Sequence, residues 1–466
     1  MQKKIYTVLG LEFGTDAGKT AIVVRALYGL KSAGASFQRH LADCMRTLGY
    51  KSCMADADLW LKQVTRPDDG LQYYAYILLY VDDCLCIHHD AESALYELDK
   101  YFPMKKGSIG DPDIYLGSKM RQVTLCNGVK AWSASPSKYV QEAVRNLETY
   151  LEKQGKGIKL PKRAMAPWPN DYVSELDDTP ELGATMVSHY QSLVGILHWM
   201  VELGRVDMIV EVSILASHMA MPREGHLIAA YHVFAYIKRH HNSRLVFDPS
   251  YPEIDMSVFT SHDWKEFYGD VQEAIPPNAP QPLGKDIDLR MYVDSDHAGD
   301  KSNRRSRTGY FIYLNSALIM WKSKKQATIE TSVFGAEFVA MKAGIETLRG
   351  LRYKLRMMGI GISGPSYIYG DNMSVIYNTQ RPESTLHKKS NAICYHAVRE
   401  LVAMGESLTG HIKSTENPAD IATKVMANGQ KRRNLVNKLL YDLYDHGHDN
   451  EDANSPARAE PKQYEG

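Results

Sequence analysis

Leu289-Arg290-Met291-Tyr292-Val293-Asp294-Ser295-Asp296-His297-Ala298-Gly299-Asp300 is the stretch on which the reading of this chain turns. Leu289, Met291 and Val293 recur with the period of two that a half-buried strand requires, and the strand runs directly into carboxylates. Downstream, Tyr310 to Leu314 and Ala317 to Trp321 flank Asn315-Ser316 and read as a hairpin. A long amphipathic helix is expected from about Ser332 to Met358, then a short strand at Tyr367 to Tyr369 and further helix. This order is mixed α/β. Asp294 to Asp300 is spaced like the start of a calcium loop, but such a loop wants Asp or Asn where Ala298 stands and Glu where Arg305 stands.

Upstream of that strand, Phe247 to Lys285 carries Pro249, Pro252, Pro276, Pro277, Pro280 and Pro282, which break helix and central strand alike. It reads as a domain boundary with few contacts crossing it, so the part after it is expected to fold alone. From Pro136 to about His241 the pattern is helical: Tyr190, Leu193, Val194, Leu197 and Val201 recur at three and four spacing, as do Ile209, Val212, Leu215, Ala216 and Met219. Further upstream, Leu71 to His89 holds two aromatic and aliphatic runs around Asp82-Asp83, a buried hairpin with an acidic tip. Lys431-Arg432-Arg433 reads as a solvated helix face, and the stretch from Asp449 onward as a disordered end.

The chain has 466 residues, 44% hydrophobic and 24% charged, enough for two or three cores. Lysine plus arginine equals aspartate plus glutamate at 55 each, so nucleic-acid binding must rest on local patches and not on net charge. The six cysteines, at 44, 53, 84, 86, 126 and 394, show no zinc-type pairing and are expected as free thiols. Tyr73 to Ile87, the longest apolar run, is interrupted by acids and too short for a membrane helix. The start of the chain lacks the apolar core of a signal peptide, so the expected setting is intracellular, a cytoplasmic particle or the nucleus, with no membrane partner.

Two carboxylates at a hairpin tip have a bland reading, since aspartate favours turns. Against it stands repulsion of roughly 4 kcal/mol between unit charges about 4 Å apart at an effective dielectric near 20, which a hard divalent cation relieves. Tyr80-Val81-Asp82-Asp83 resembles the catalytic hairpin of reverse transcriptases, and Ala26-Leu27-Tyr28-Gly29-Leu30-Lys31-Ser32-Ala33-Gly34 resembles the copia-type motif before it. Phe102-Pro103-Met104-Lys105-Lys106-Gly107, Tyr115-Leu116-Gly117 and Tyr190-Gln191-Ser192-Leu193-Val194-Gly195 extend the resemblance to copia-type retrotransposon polyproteins, which runs to about Asn434. It implies Asp82 and Asp83 as catalytic metal ligands and Gly29, Lys31, Phe37 and Tyr80 as substrate-binding residues, with template RNA and primer DNA as partners. In that family a further aspartate lies upstream of the segment matched by Lys4 to Val8, and the fingers precede it. Met1 begins after both, so DNA synthesis by this chain is expected to be weak or absent.

Asp294, Glu337, Asp371 and Asp420 form a second acidic set. Singly, Glu337 reads as a solvated helix residue, Asp371 as a helix cap and Asp420 as a first-turn dipole partner. Together with Arg305-Ser306-Arg307-Thr308-Gly309-Tyr310, Ala336-Glu337-Phe338, Gly370-Asp371-Asn372 and Ala419-Asp420-Ile421-Ala422-Thr423-Lys424, they resemble the copia-type RNase H. The resemblance implies two Mg²⁺ ions in each active site, with Mn²⁺ an alternative, and hydrolysis of RNA in RNA/DNA hybrids. Such sites act with paired metals about 4 Å apart. Arg304, Arg305, Arg307, Lys322, Lys324 and Lys325 make a basic cluster that reads either as a solvated strand or as a phosphate contact. Phosphate contact by Arg305, Lys324 and Lys325 is the preferred reading. Asn372 is a candidate for touching the RNA strand, and His387 or His411 for shuttling a proton.

The expected fold class is therefore multidomain α/β and α+β. Residues 1–135 would be a truncated reverse transcriptase palm, 136–246 a helical thumb or connection, 247–285 a Pro-rich linker, 286–434 an RNase H domain and 435–466 a helix and tail. Two functional readings remain open: a polyprotein fragment that retains RNase H activity, and a catalytically idle nucleic-acid-binding remnant. Oligomeric state is not legible.

Overall fold

The computed structural model describes residues 5–24, 30–31, 33–80, 83–155, 159–386 and 389–444. Gly29, Asp82, His387 and the end of the chain from residue 445 lie outside the described residues. The chain forms two compact units, residues 1–111 with 357–359, and residues 112–356 with 360–466. Both combine sheets with flanking helices, a multidomain α/β and α+β architecture.

In the first unit an antiparallel sheet runs in the order Lys51–Cys53, Asp56–Thr65, Gln72–Tyr80, Asp83–Ile87. The expected hairpin is there, with Tyr80 paired to Asp83 and Ile77 to Cys86. Aromatic and β-branched residues suit these strands, and Trp60 and Ile77 bury one face under Leu41 and Met45 of the helix Ala33–Thr47 and Leu98 of the helix Ala91–Asp99.

The second unit contains helices α1 (Ser137–Lys153), α2 (Ala184–Glu202), α3 (Ile209–Ala216) and α4 (Glu224–Arg239). A small antiparallel sheet joins Leu245–Phe247, Lys130–Ser135, Ser118–Thr124 and Ile114–Tyr115 in that order. The principal sheet contains β1 (Leu289–Asp296), β2 (Arg307–Leu314), β3 (Ala317–Lys325), β4 (Ser366–Gly370) and β5 (Ser407–His411) in the order β3-β2-β1-β4-β5. The first three strands are antiparallel, whereas β4 and β5 run parallel to β1, as crossover helices require. Those crossovers use α5 (Val333–Met357), α6 (Met373–Gln380) and α7 (Ala392–Ala403), and α8 (Asp420–Thr423) and α9 (Gln430–Val436) follow.

An apolar core links the helices to the principal sheet. Val140, Leu147, Leu197 and Phe234 of the helices cluster with Phe311 and Leu318 of the principal sheet and with Ile421 and Leu435 beyond it. A buried polar knot accompanies the core. Arg205 grips the Asp207 carboxylate with two bonds of 2.9 Å, Tyr236 donates to the same carboxylate, and Arg432 reaches the Asp207 carbonyl at 2.5 Å. Arg432 is therefore buried, which corrects the solvated-face reading at that residue, while Lys431 and Arg433 are exposed. Its guanidinium stem and head also cover Tyr236, so the side chain serves as core.

The Pro-rich stretch is fastened down as well, contrary to the expectation of few crossing contacts. Phe259 bridges to Gly410 of β5, Gln380 donates to the Val258 carbonyl at 2.9 Å, and Glu273 receives both Arg352 and Arg356 of α5. Prolines remove ladder donors but leave side chains free to dock, and this segment uses side chains. Despite the penalty of burial, the two guanidiniums hold the Glu273 carboxyl down to about 2. Among the described residues no helix is long and apolar enough to cross a membrane, and none of the six cysteines is in a disulfide.

Candidate metal centre

Strand register brings the first two acids together. In the parallel β1–β4 pair Met291 lies opposite Ile368 and Tyr292 opposite Tyr369, and Asp294 and Asp371 each follow two residues later. Equal steps along neighbouring strands with a period of two put both side chains on one face, a strand spacing apart. Asp420 is delivered by the turn Asn417-Pro418-Ala419. The buried Asn417 amide donates to the Val293 carbonyl at 3.0 Å, which fastens the turn to β1 beside Asp294. As a result, carboxylate oxygens of Asp294, Asp371 and Asp420 all come within 4.8 Å of one another.

Glu337, in the second turn of α5, stands beside them. It is buried. Burial, with the Asp294 and Asp371 carboxylates adding to it, pushes the Glu337 carboxyl well above its ordinary range. Burial likewise pushes Asp294 up to about 6, opposed by the Lys424 ammonium and the Thr423 hydroxyl and assisted by Asp420 and Asp371. Asp296 also rises to about 6 through burial, although the Arg307 backbone N–H donates to it. Crowded buried carboxylates that resist ionisation are a high-energy arrangement unless cations join them. An all-oxygen donor set of this kind suits a hard divalent ion such as Mg²⁺.

Three partners of the cluster were not legible in the sequence. The Thr423 hydroxyl donates to Asp294. The Lys424 ammonium donates to Asp420 at 2.5 Å and approaches Asp294 at 3.1 Å, and Lys431 donates to the other Asp420 oxygen at 2.6 Å. Burial opposes the charge on Lys424, yet the Asp294 and Asp420 carboxylates raise its pKa well above the ordinary value. Only the i,i+4 spacing of Asp420 and Lys424 could have signalled it.

The basic cluster divides in two. Arg305, Lys322 and Lys324 are exposed, whereas Arg307 is buried with its guanidinium on Ser213 at 2.5 Å and Lys325 is paired with Asp300. Arg307 is thus a packing residue, because Ser213 of α3 covers the end of β2 where solvent was expected. Asn372 caps α6 by accepting from Ser374 at 3.1 Å and Val375 at 3.3 Å, which leaves the neighbouring Asp371 clear of capping. His411 pairs with Gly370 at the end of β5.

In the first unit, Asp83 is exposed and Tyr80 is 49% exposed. Phe37 meets Phe102 edge to face at 5.1 Å and joins the core boundary, and Lys31 lies in a turn. Asp294, Asp371 and Asp420 are the only acidic trio of metal-binding spacing among the described residues.

The centre so defined is a buried, oxygen-rich acidic cluster at the end of parallel strands in a mixed sheet. No family model matches the chain. Over 406 residues, 86% of this chain and 24% of the relative, it is 25% identical to the retrovirus-related Pol polyprotein from transposon RE1 of Arabidopsis thaliana. Over 425 residues, 88% of this chain and 28% of the relative, it is also 25% identical to the retrovirus-related Pol polyprotein from transposon TNT 1-94 of Nicotiana tabacum. The chain is distantly related to such polyproteins and spans about a quarter of the length of these curated relatives. Among solved structures, RNase H1 from Halobacterium salinarum NRC-1 aligns over 29% of this chain and 93% of its own, at 14% identity and a TM-score of 0.23.

Proposed function

We propose that the second unit is a divalent-metal-dependent ribonuclease that cuts the RNA strand of RNA/DNA hybrids, inherited from a copia-type retroelement. The convergence of Asp294, Asp371 and Asp420 within 4.8 Å, with Glu337 beside them, is the observation that carries this reading. These residues would hold Mg²⁺ or Mn²⁺; when bound, such ions activate a water and steady the leaving 3′-oxygen of a phosphodiester. The chain's own work is positional. Asn417 fixes the turn that bears Asp420, and Thr423 orients Asp294. Arg305 and Lys324 are free to neutralise strand phosphates, and an exposed 2′-hydroxyl in the wide minor groove supplies the distinction between RNA and DNA. In this reading residues 286–434 form the RNase H domain, 136–246 the connection and 1–135 a reverse transcriptase palm remnant that synthesises little DNA.

In Mg²⁺ the purified chain is expected to cleave the RNA of a labelled hybrid, and Asp371→Asn to slow it by about 100-fold or more, because metal ligands and their partners carry effects of that size. Equal cutting by both proteins overturns the assignment. Nucleotide incorporation on a primed RNA template is expected to be negligible, and incorporation abolished by Asp83→Asn would overturn that part.

A further inference from the structure

Lys424 bridges two carboxylates that a divalent ion would also need. Its ammonium is 2.5 Å from Asp420 and 3.1 Å from Asp294, two members of the trio whose oxygens lie within 4.8 Å of one another. Lys431 occupies only the far oxygen of Asp420, at 2.6 Å, so it does not span the cluster. Acids this close repel, and an ammonium on a tether is the cation a chain can itself provide. An ammonium and a metal ion cannot take the same oxygens at once. Lys424 also has somewhere to go, since its side chain is 41% exposed and lines a cavity of about 230 Å³ that Glu175, Asp296 and Asp300 line as well.

Resting on the reading of the cluster as a divalent-metal site, we propose that Lys424 is a tethered counter-ion that competes with the metal for Asp294 and Asp420 and swings toward the acidic cavity when metal enters. The lysine then has two opposite effects. It stabilises the metal-free protein by relieving repulsion among the acids, and it weakens metal binding because its charge-assisted hydrogen bonds must be given up first. A lysine that merely braced α8 would stabilise both states and leave metal affinity alone.

The test is a Mn²⁺ titration of the full chain by calorimetry, with melting temperatures taken with and without saturating Mn²⁺, for wild type, Lys424→Met, Lys424→Arg and Asp371→Asn. Lys424→Met is expected to bind Mn²⁺ roughly tenfold more tightly, the loss of a charge-assisted hydrogen bond being of that order. It should melt lower than wild type without metal and level with it when saturated, while Lys424→Arg stays near wild type in both. Lys424→Gln provides the same readout should the Met variant not fold. Unchanged or weakened affinity in the neutral variants, with wild-type binding that Asp371→Asn removes, overturns the counter-ion proposal and leaves the metal site standing. If neither wild type nor Lys424→Met takes up Mn²⁺ in an Asp371-dependent way, the metal-site reading itself falls, and the proposal with it.

Discussion

The two units carry acids of similar type in opposite circumstances. Asp83 sits exposed in a pair of strands consecutive in the chain, opposite Tyr80, so local pairing suffices to place it. Asp294, Glu337, Asp371 and Asp420 come from positions spread over more than a hundred residues, and Asp294, Glu337 and Asp420 are buried. Gathering them needs a parallel strand pair, a helix and a pinned turn, and it leaves Asp294 and Glu337 resisting ionisation. A local pair of aspartates is inexpensive for a chain to keep and says little. A convergent buried set carries a standing electrostatic penalty, and cation binding is the physical event that relieves it.

The largest expected difference follows from that contrast. Asp294→Asn should lower hybrid cleavage by about 100-fold or more, while Asp83→Asn leaves it unchanged, because only the first removes a charge from the convergent set. Cleavage time courses on one labelled duplex compare the two. A loss with Asp83→Asn would mean that the first unit takes part in the cut, and the contrast would break.

Next in size is an effect on stability. Asp207→Ala leaves the Arg205 guanidinium buried without its carboxylate, a change that costs about 3–5 kcal/mol. Calorimetry should show the second unit melting earlier while the transition of the first stays in place. For the same reason a fragment from Lys285 to Asn434 is not expected to fold, since it lacks the helices that share its core and the Asp207 carbonyl that Arg432 holds. A folded, cooperative fragment would show that the knot and the shared core are dispensable.

How much of this was readable beforehand depends on the range of the interaction. The hairpin around Asn315-Ser316 is β2 and β3, the helix expected from about Ser332 to Met358 is Val333–Met357, and the strand expected at 367–369 is Ser366–Gly370. Periodicity and turn chemistry act over a few residues, so they survive in the bare sequence. Strand β5, Ser-Leu-Thr-Gly-His, has little apolar alternation, and its place comes from parallel pairing with β4. Arg432, Arg307 and Glu273 look like surface residues by type, and only distant partners bury them. The four catalytic candidates were legible as a family resemblance, whereas Thr423, Lys424 and Lys431 became partners of the site only through the turn at Asn417.

A smaller effect should appear in the pH dependence of stability. Asp294 and Asp296 are held up to about 6 from an ordinary 3.8, so below that ordinary value they are protonated in folded and unfolded chains alike. Between about 4 and 6 the unfolded chain gives up protons that the folded chain keeps at Asp294 and Asp296, so their contribution falls as pH rises and levels off above that window. Glu337, also held well above its ordinary range, adds to the fall. Glu273 has the opposite sign, but its stabilisation is lost only as pH falls below about 4.5. A divalent ion removes the penalty on the raised acids. The rise in melting temperature on adding Mg²⁺ should therefore be larger at pH 7.5 than at pH 5, and a rise independent of pH would show that these acids are not where the ion binds.

The smallest expected change concerns the exposed cations. Arg305 and Lys324 project into solvent, whereas Arg307 and Lys325 of the same cluster are committed to Ser213 and Asp300. Each phosphate contact contributes close to one unit to the slope of log affinity against log salt on a duplex. Reversing both charges, Arg305→Glu with Lys324→Glu, should flatten that slope by about two units for a hybrid duplex bound to the full chain. Reversal at Lys31 in the first unit should leave it alone, because the proposed phosphate contacts belong to the second. Titrations at several salt concentrations separate these outcomes. An unchanged slope in a folded double variant would return Arg305 and Lys324 to ordinary solvated surface, and an equal flattening from Lys31→Glu would place part of the duplex on the first unit.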